Sequence, residues 1–180
     1  MEFKHLVEAL IAEIQSPVML VKHLARDLDE NGIKYCVIGG LALGIHNYQR
    51  STEDIDILVA KEDFPKISQK LLGRGYTLRA GSKKNMYMHS GSSKVPVDVL
   101  VEGDREGSIT LPNSIKVRTK IGGVWYLELP RLIEFKLRAG RPRDIQDVLQ
   151  LINANELTED YAEKLEDGDI REKFKEVISR

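Results

Sequence analysis

RSTEDIDILV, residues 50–59, has the apolar content of a buried strand, yet it carries two aspartates, Asp54 and Asp56, two positions apart. Aspartate is among the residues most depleted in strands, and a buried carboxylate is costly unless a partner or a metal compensates it. In an extended strand side chains i and i+2 project from one face, so Asp54 and Asp56 point together while Ile55 and Ile57 point away. Carboxylates this close repel and raise one another's pKa unless a cation holds both ionised. The donors are carboxylate oxygens, and His5, His23, His46 and His89 are scattered without metal-ligand spacing. Mg²⁺ or Mn²⁺ therefore fits better than zinc. The plain alternative for the pair is a strand end open to solvent, where acidic residues cost little.

Working outward, VPVDVLV, residues 95–101, places Asp98 among valines and a leucine, the pattern of a mostly buried strand. If that strand lies beside the first, three carboxylates converge, enough for two metals or for one metal and a general base. Upstream, Tyr35 to Ile38 reads as a short buried strand running into Gly39-Gly40, with a short helix over about Leu41 to Asn47. Taken alone, the glycine pair reads as a strand-to-helix turn. The stretch from Gly39 to Gly44 continues Ile45-His46, which excludes a P-loop. A further helix is expected from Asp63 to Leu72, ending at Gly73. Strand, helix, strand, helix opens an α/β domain.

Apolar residues recur at three and four from Phe3 to Leu28, the period of an amphipathic helix, which Pro17 divides and Asn31-Gly32 stops. The middle of the chain, YTLRA, KNMYMHS and VPVDVLV, predicts consecutive strands and a mixed sheet; Lys83 and Lys84 would sit on a hairpin end or a mobile lip. Shorter strands are expected over Ile115–Arg118 and Val124–Leu127, with IGGVWY supplying the turn, and helices follow to the end, two charged ones flanking Gly168. Hydrophobic residues make up 42% and charged residues 31%, which excludes a disordered chain. Lys and Arg number 27 against 28 Asp and Glu, so no basic excess points to nucleic acid. The single Cys36 excludes an intrachain disulfide and reads as a small hydrophobe; with no run near 18 apolar residues and no signal-peptide core, a cytoplasmic protein with no membrane partner is expected. Trp125 and Tyr126 read as core rather than as a base-stacking platform, and His46 as a cap or surface residue at the end of the short helix, with a substrate-facing role as its alternative.

VIGGLALGIHNYQRSTEDIDILV followed by PVDVLV resembles the DNA-polymerase-β-like nucleotidyltransferase superfamily, over about Tyr35 to Val101. Within it the chain is most similar to the small AbiEii-type, nucleotidyltransferase-like branch, through Gly39-Gly40-Leu41-Ala42, the run from Arg50 to Asp56, and a lysine-bearing helix followed by RPRDIQDVLQL. The resemblance implies an α/β (α+β) fold: a nucleotidyltransferase-like mixed sheet over 33–128, an N-terminal helical segment over 1–32 packed on it, and a C-terminal helical segment over 129–180. It implies that Gly39 and Gly40 let backbone approach a nucleoside triphosphate, and that Asp54, Asp56 and Asp98 hold two Mg²⁺ or Mn²⁺ ions. Asp98 would also activate an attacking hydroxyl.

Arg50 and Thr52 would touch substrate or brace the aspartates. Lys136, Arg138, Arg141 and Arg143 would form a second basic group near the site, with Lys136 and Arg143 as nucleotide ligands and Asp144 and Asp147 orienting the cations by ion pairing. An ordinary solvated helix face is the plain alternative there. Many superfamily members carry a serine hydroxyl after the glycine, where this chain has Leu41. The implied activity is transfer of a nucleoside monophosphate from an NTP to an acceptor hydroxyl of tRNA, protein (as in toxin-type members) or a small molecule, with a homodimer or a toxin–antitoxin partner open. A non-catalytic nucleotide-binding or partner-binding module and a metal-dependent phosphodiesterase are the competing readings.

Overall fold

The structure, a computed structural model, describes residues 16–67, 76–78, 85–89, 95–103, 105–106, 109–110 and 114–179. Helix α1, Pro17–Glu30, starts where the Ser16 side chain accepts the Met19 N–H at 3.2 Å, with Pro17 at its first position. Proline there forfeits no helical hydrogen bond. Pro17 therefore begins this helix, and the amphipathic pattern before it lies outside the described residues, as do Lys83 and Lys84.

Strand β1, Tyr35–Ile38, leads directly into α2, Gly39–Ile45, and then to β2, Ile55–Val59. Helical backbone from 64 to 67 follows the expected start of the next helix, whose remainder is not described. Strands β3 (Tyr76–Leu78), β4 (Asn85–His89) and β5 (Pro96–Val101) come next, then a small two-stranded ribbon of β6 (Arg105–Glu106) and β7 (Ile109–Thr110). With β8 (Arg118–Ile121) and β9 (Val124–Leu127), the main sheet runs β3-β4-β5-β2-β1-β9-β8. Its central pairs alternate in sense, β2 parallel to β5, β1 antiparallel to β2 and β1 parallel to β9, so the sheet is mixed as expected.

The expected strand over Ile115–Arg118 is corrected to Arg118–Ile121, with a 3₁₀ turn at Ser114–Lys116. Gly122 (φ +57°) and Gly123 (φ +85°) both occupy the left-handed region, forming a two-residue hairpin turn that pairs Ile121 with Val124. That register counts β8 back to Arg118, opposite Leu127.

Strand alternation sorts the core between two faces. Tyr35, Val37, Ile55, Ile57, Val59, Val97 and Val99 pack with α1 through Leu20, Val21, Leu24 and Leu28. Cys36, Ile38 and Leu58 face the other way, toward a helical layer of α3 (Leu129–Ala139), α4 (Pro142–Ala154) and α5 (Gly168–Ile178). Asp56 and Asp98 share the period of Leu58 and Leu100, which puts them on this second face. Helix α3 stops at Gly140 (φ +64°), and Pro142 opens α4, as the sequence predicts. The first of the two charged helices is instead a 3₁₀ segment, Glu159–Lys164, which no side chain caps. Asp167 caps α5 by accepting the Asp169 N–H at 2.9 Å.

Candidate active site

Asp56 on β2 lies in register with Asp98 on β5 and with Ile38 on β1. Neighbouring strands are about 4.8 Å apart, so the pairing alone sets the two carboxylates side by side. Asp54 stands in the bend before β2, outside the pleat. Its orientation comes from Thr52, whose Oγ1 donates to Asp54 Oδ1 at 2.8 Å. One oxygen from each of Asp54, Asp56 and Asp98 falls within 4.8 Å of the others. Asp98 is buried, and Asp54 and Asp56 are half-buried. Three carboxylates offering only hard oxygen donors suit a divalent ion of the Mg²⁺ or Mn²⁺ type.

The glycine pair is required by the chain's own side chains. Gly39 has φ +66°, and a Cβ there would lie 1.9 Å from Asp56 Oδ2. A Cβ on Gly40 would meet Thr52 Cβ and Oγ1, both at 2.7 Å. Backbone thus passes against both the Asp56 carboxylate and the threonine that orients Asp54.

These residues open onto one cleft of about 860 Å³, which Gly39, Gly40, Arg50, Thr52, Asp54, Asp56, Asp98, Lys136 and Arg143 all line. An apolar wall of Ile38, Leu100, Phe135 and Ala139 completes it. Sequence reasoning did not single out that wall, although two signals were available: Leu100 follows Asp98 by two on β5, and Phe135 and Ala139 are i, i+4 neighbours beside Lys136.

The basic group divides. Lys136 is 2% exposed, and its Nζ donates to Asp147 at 2.6 Å and lies 3.5 Å from Asp144. A solvated helix face is excluded for this lysine. Arg141 forms a two-point pair with Asp144, Nε at 2.6 Å and Nη2 at 3.3 Å. Arg143 is exposed on the rim and has no ion pair among the described residues. Arg138 turns away, donating to Asp167 at 2.7 Å, and does not line the cleft. That pairing with the α5 cap takes it out of the expected basic group.

His46 caps α2 at its C-terminal end and donates from Nε2 to the Leu127 carbonyl at 2.8 Å. Burial pushes its imidazole pKa below the ordinary value, against the opposing pull of that carbonyl and Glu128. It has no place in the cleft lining. Trp125 and Tyr126 are half-buried against the core, with the Arg118 guanidinium 4.4 Å over the indole ring.

A mixed sheet thus holds three clustered aspartates beside a glycine turn. The chain belongs to the family described as uncharacterised nucleotidyltransferases, whose model matches residues 3–115. Among solved structures, the chain resembles ANT(2″)-Ia in complex with adenylyl-2″-tobramycin at TM-score 0.59 and 15% identity, over 88% of this chain and 97% of that one. It also resembles an antigenic nucleotidyltransferase-like protein from Paracoccidioides brasiliensis (TM-score 0.51, 22% identity, 74% of each chain). A third is the lincomycin-bound lincosamide antibiotic adenylyltransferase LnuA (TM-score 0.51, 16% identity, 72% of this chain and 92% of that one). No curated protein sequence matches the chain. Among the described residues, no helix is long and apolar enough to cross a membrane.

Proposed function

We propose that the protein transfers a nucleoside monophosphate from an NTP to an acceptor hydroxyl, with Asp54, Asp56 and Asp98 as ligands of Mg²⁺ or Mn²⁺. The observation that carries this reading is the meeting of the three carboxylates, within 4.8 Å, at a cleft of about 860 Å³. That volume is within the usual range for small-molecule sites. A bound divalent ion supplies charge neutralisation for the phosphates and for the in-line displacement.

The chain's own groups would do the rest. Gly39 and Gly40 leave the backbone bare beside Asp56, where a triphosphate can approach. Arg143, exposed on the rim and without an ion pair among the described residues, would meet phosphate oxygens. Asp98 accepts the proton of the acceptor hydroxyl as its oxygen bonds to the α-phosphorus, and the bond to pyrophosphate breaks. The apolar wall around Phe135 receives a ring of the base or of the acceptor. A small-molecule hydroxyl is the acceptor we favour over tRNA or protein, since adenylyl-2″-tobramycin and lincomycin are the ligands of two structural neighbours and the chain carries a net charge of only -1. Membership of the AbiEii-type branch is part of this proposal, resting on the run from Arg50 to Asp56.

The test is calorimetric titration of ATP, GTP, CTP and UTP, with Mg²⁺ or Mn²⁺, into wild-type protein and into the Asp54→Asn/Asp56→Asn variant. Metal-dependent binding that vanishes in the variant is expected. A folded wild-type protein that binds no NTP would sink the reading.

A further inference from the structure

Building on that metal site, we propose that Asp147 is its positioning residue: from behind the cleft wall it ties Lys136 and the Arg50–Asp54 loop to the C-terminal helices, and so sets where Asp54 stands. Asp147 is 1% exposed and does not itself line the cleft. Its Oδ1 accepts Arg50 Nε at 3.0 Å, and its Oδ2 accepts Arg50 Nη2 at 3.2 Å and Lys136 Nζ at 2.6 Å. One carboxylate on α4 thus engages a guanidinium 97 residues earlier in the chain and an ammonium on α3.

From Arg50 the restraint passes along the loop. Arg50 Nη1 donates to the Ser51 carbonyl at 3.2 Å, and Thr52 Oγ1 fixes Asp54 Oδ1 at 2.8 Å. Fork-to-fork pairing of guanidinium with carboxylate is directional, so it holds the loop in orientation as well as in place. Lys136, between Asp147 and Asp144, is likewise occupied by protein carboxylates. Its work is to hold α3 against α4 at the wall, leaving the exposed Arg141 and Arg143 as the cations that face the cleft opening.

The probe is Mn²⁺ alone, its dissociation constant read by electron paramagnetic resonance. Asp147→Asn keeps the shape and removes the charge, and should raise the Mn²⁺ Kd about tenfold or more, the usual effect of losing a group that orients metal ligands. Asp147→Glu should recover part of the loss. Asp167→Asn, which removes the charge from the Arg138 pair outside the cleft lining and keeps an N-capping oxygen, should leave the Kd within about twofold. Circular dichroism establishes that each variant is folded. If Asp147→Asn does not fold, Arg50→Gln, which leaves Lys136 paired with Asp147, should weaken Mn²⁺ similarly, and a wild-type Kd there overturns the proposal. So does a wild-type Kd in folded Asp147→Asn, or an equal loss in Asp167→Asn. A wild-type protein that binds no Mn²⁺ defeats the metal site itself, and this inference with it.

Discussion

At Gly39 two demands coincide, a left-handed backbone and an approach to Asp56 that leaves no space for a methyl group. Gly39→Ala is expected to destabilise the fold by about 1–3 kcal/mol from the backbone alone, and to displace the Asp56 carboxylate. Thermal unfolding and Mn²⁺ titration would register the two effects separately. Gly44 is the control: it sits in α2 at ordinary helical φ with nothing within 4 Å of a would-be Cβ. Gly44→Ala should stabilise by about 0.5–1 kcal/mol and leave Mn²⁺ binding unchanged. His46 gives a pH signature. Its folded pKa is depressed, so the unfolded chain takes up the proton first as pH falls. The stability it contributes is complete above its unfolded value of about 6.5 and declines as pH drops below that value toward the folded one. Urea midpoints measured from pH 7.5 down to 5 should show this slope, and His46→Gln should flatten it.

Among elements, the β8–β9 hairpin and the α5 cap make the clearest commitments. With Gly122 and Gly123 both at positive φ, Gly122→Asn should be tolerated, whereas Gly122→Val should cost about 1–2 kcal/mol. Asp167→Ala should cost about 1 kcal/mol as a lost N-cap, together with the loss of its pair to Arg138; denaturant unfolding of each variant checks both. How far such elements were legible depended on where their information lies. Strand alternation in IDILV and VPVDVLV, and the Pro and Gly that bound α3 and α4, are local signals, and these elements lie where the pattern put them. The β8 register was misread because it is fixed by the backbone conformation of two glycines, which IGGVWY does not reveal by periodicity. Asp98 was legible as a carboxylate out of place, but its pairing with Asp56 depends on a long-range parallel contact. The wall residues Phe135 and Ala139 offer only their i, i+4 spacing beside Lys136, a signal that an aromatic and an alanine on an amphipathic helix share with core.

For the molecule as a whole, Cys36 is a built-in reporter. It is fully buried on β1, and burial pushes its thiol up to about 12. The native protein should resist a thiol-labelling reagent at pH 8 and react fully in urea. Its native labelling rate should therefore track global unfolding and slow when Mn²⁺ is added, by the linkage that any ligand of the native state imposes. The parallel register that sets Asp56 against Asp98 has one more consequence. The gap between those aspartates is fixed by backbone pairing of β2 with β5, while the chain leaves at Val59 and returns only at Pro96. The intervening stretch supplies β4, which pairs Met86 with Asp98 from the other side of β5; an engineer who replaces that stretch has to keep β4, or the strand that carries Asp98 becomes a sheet edge.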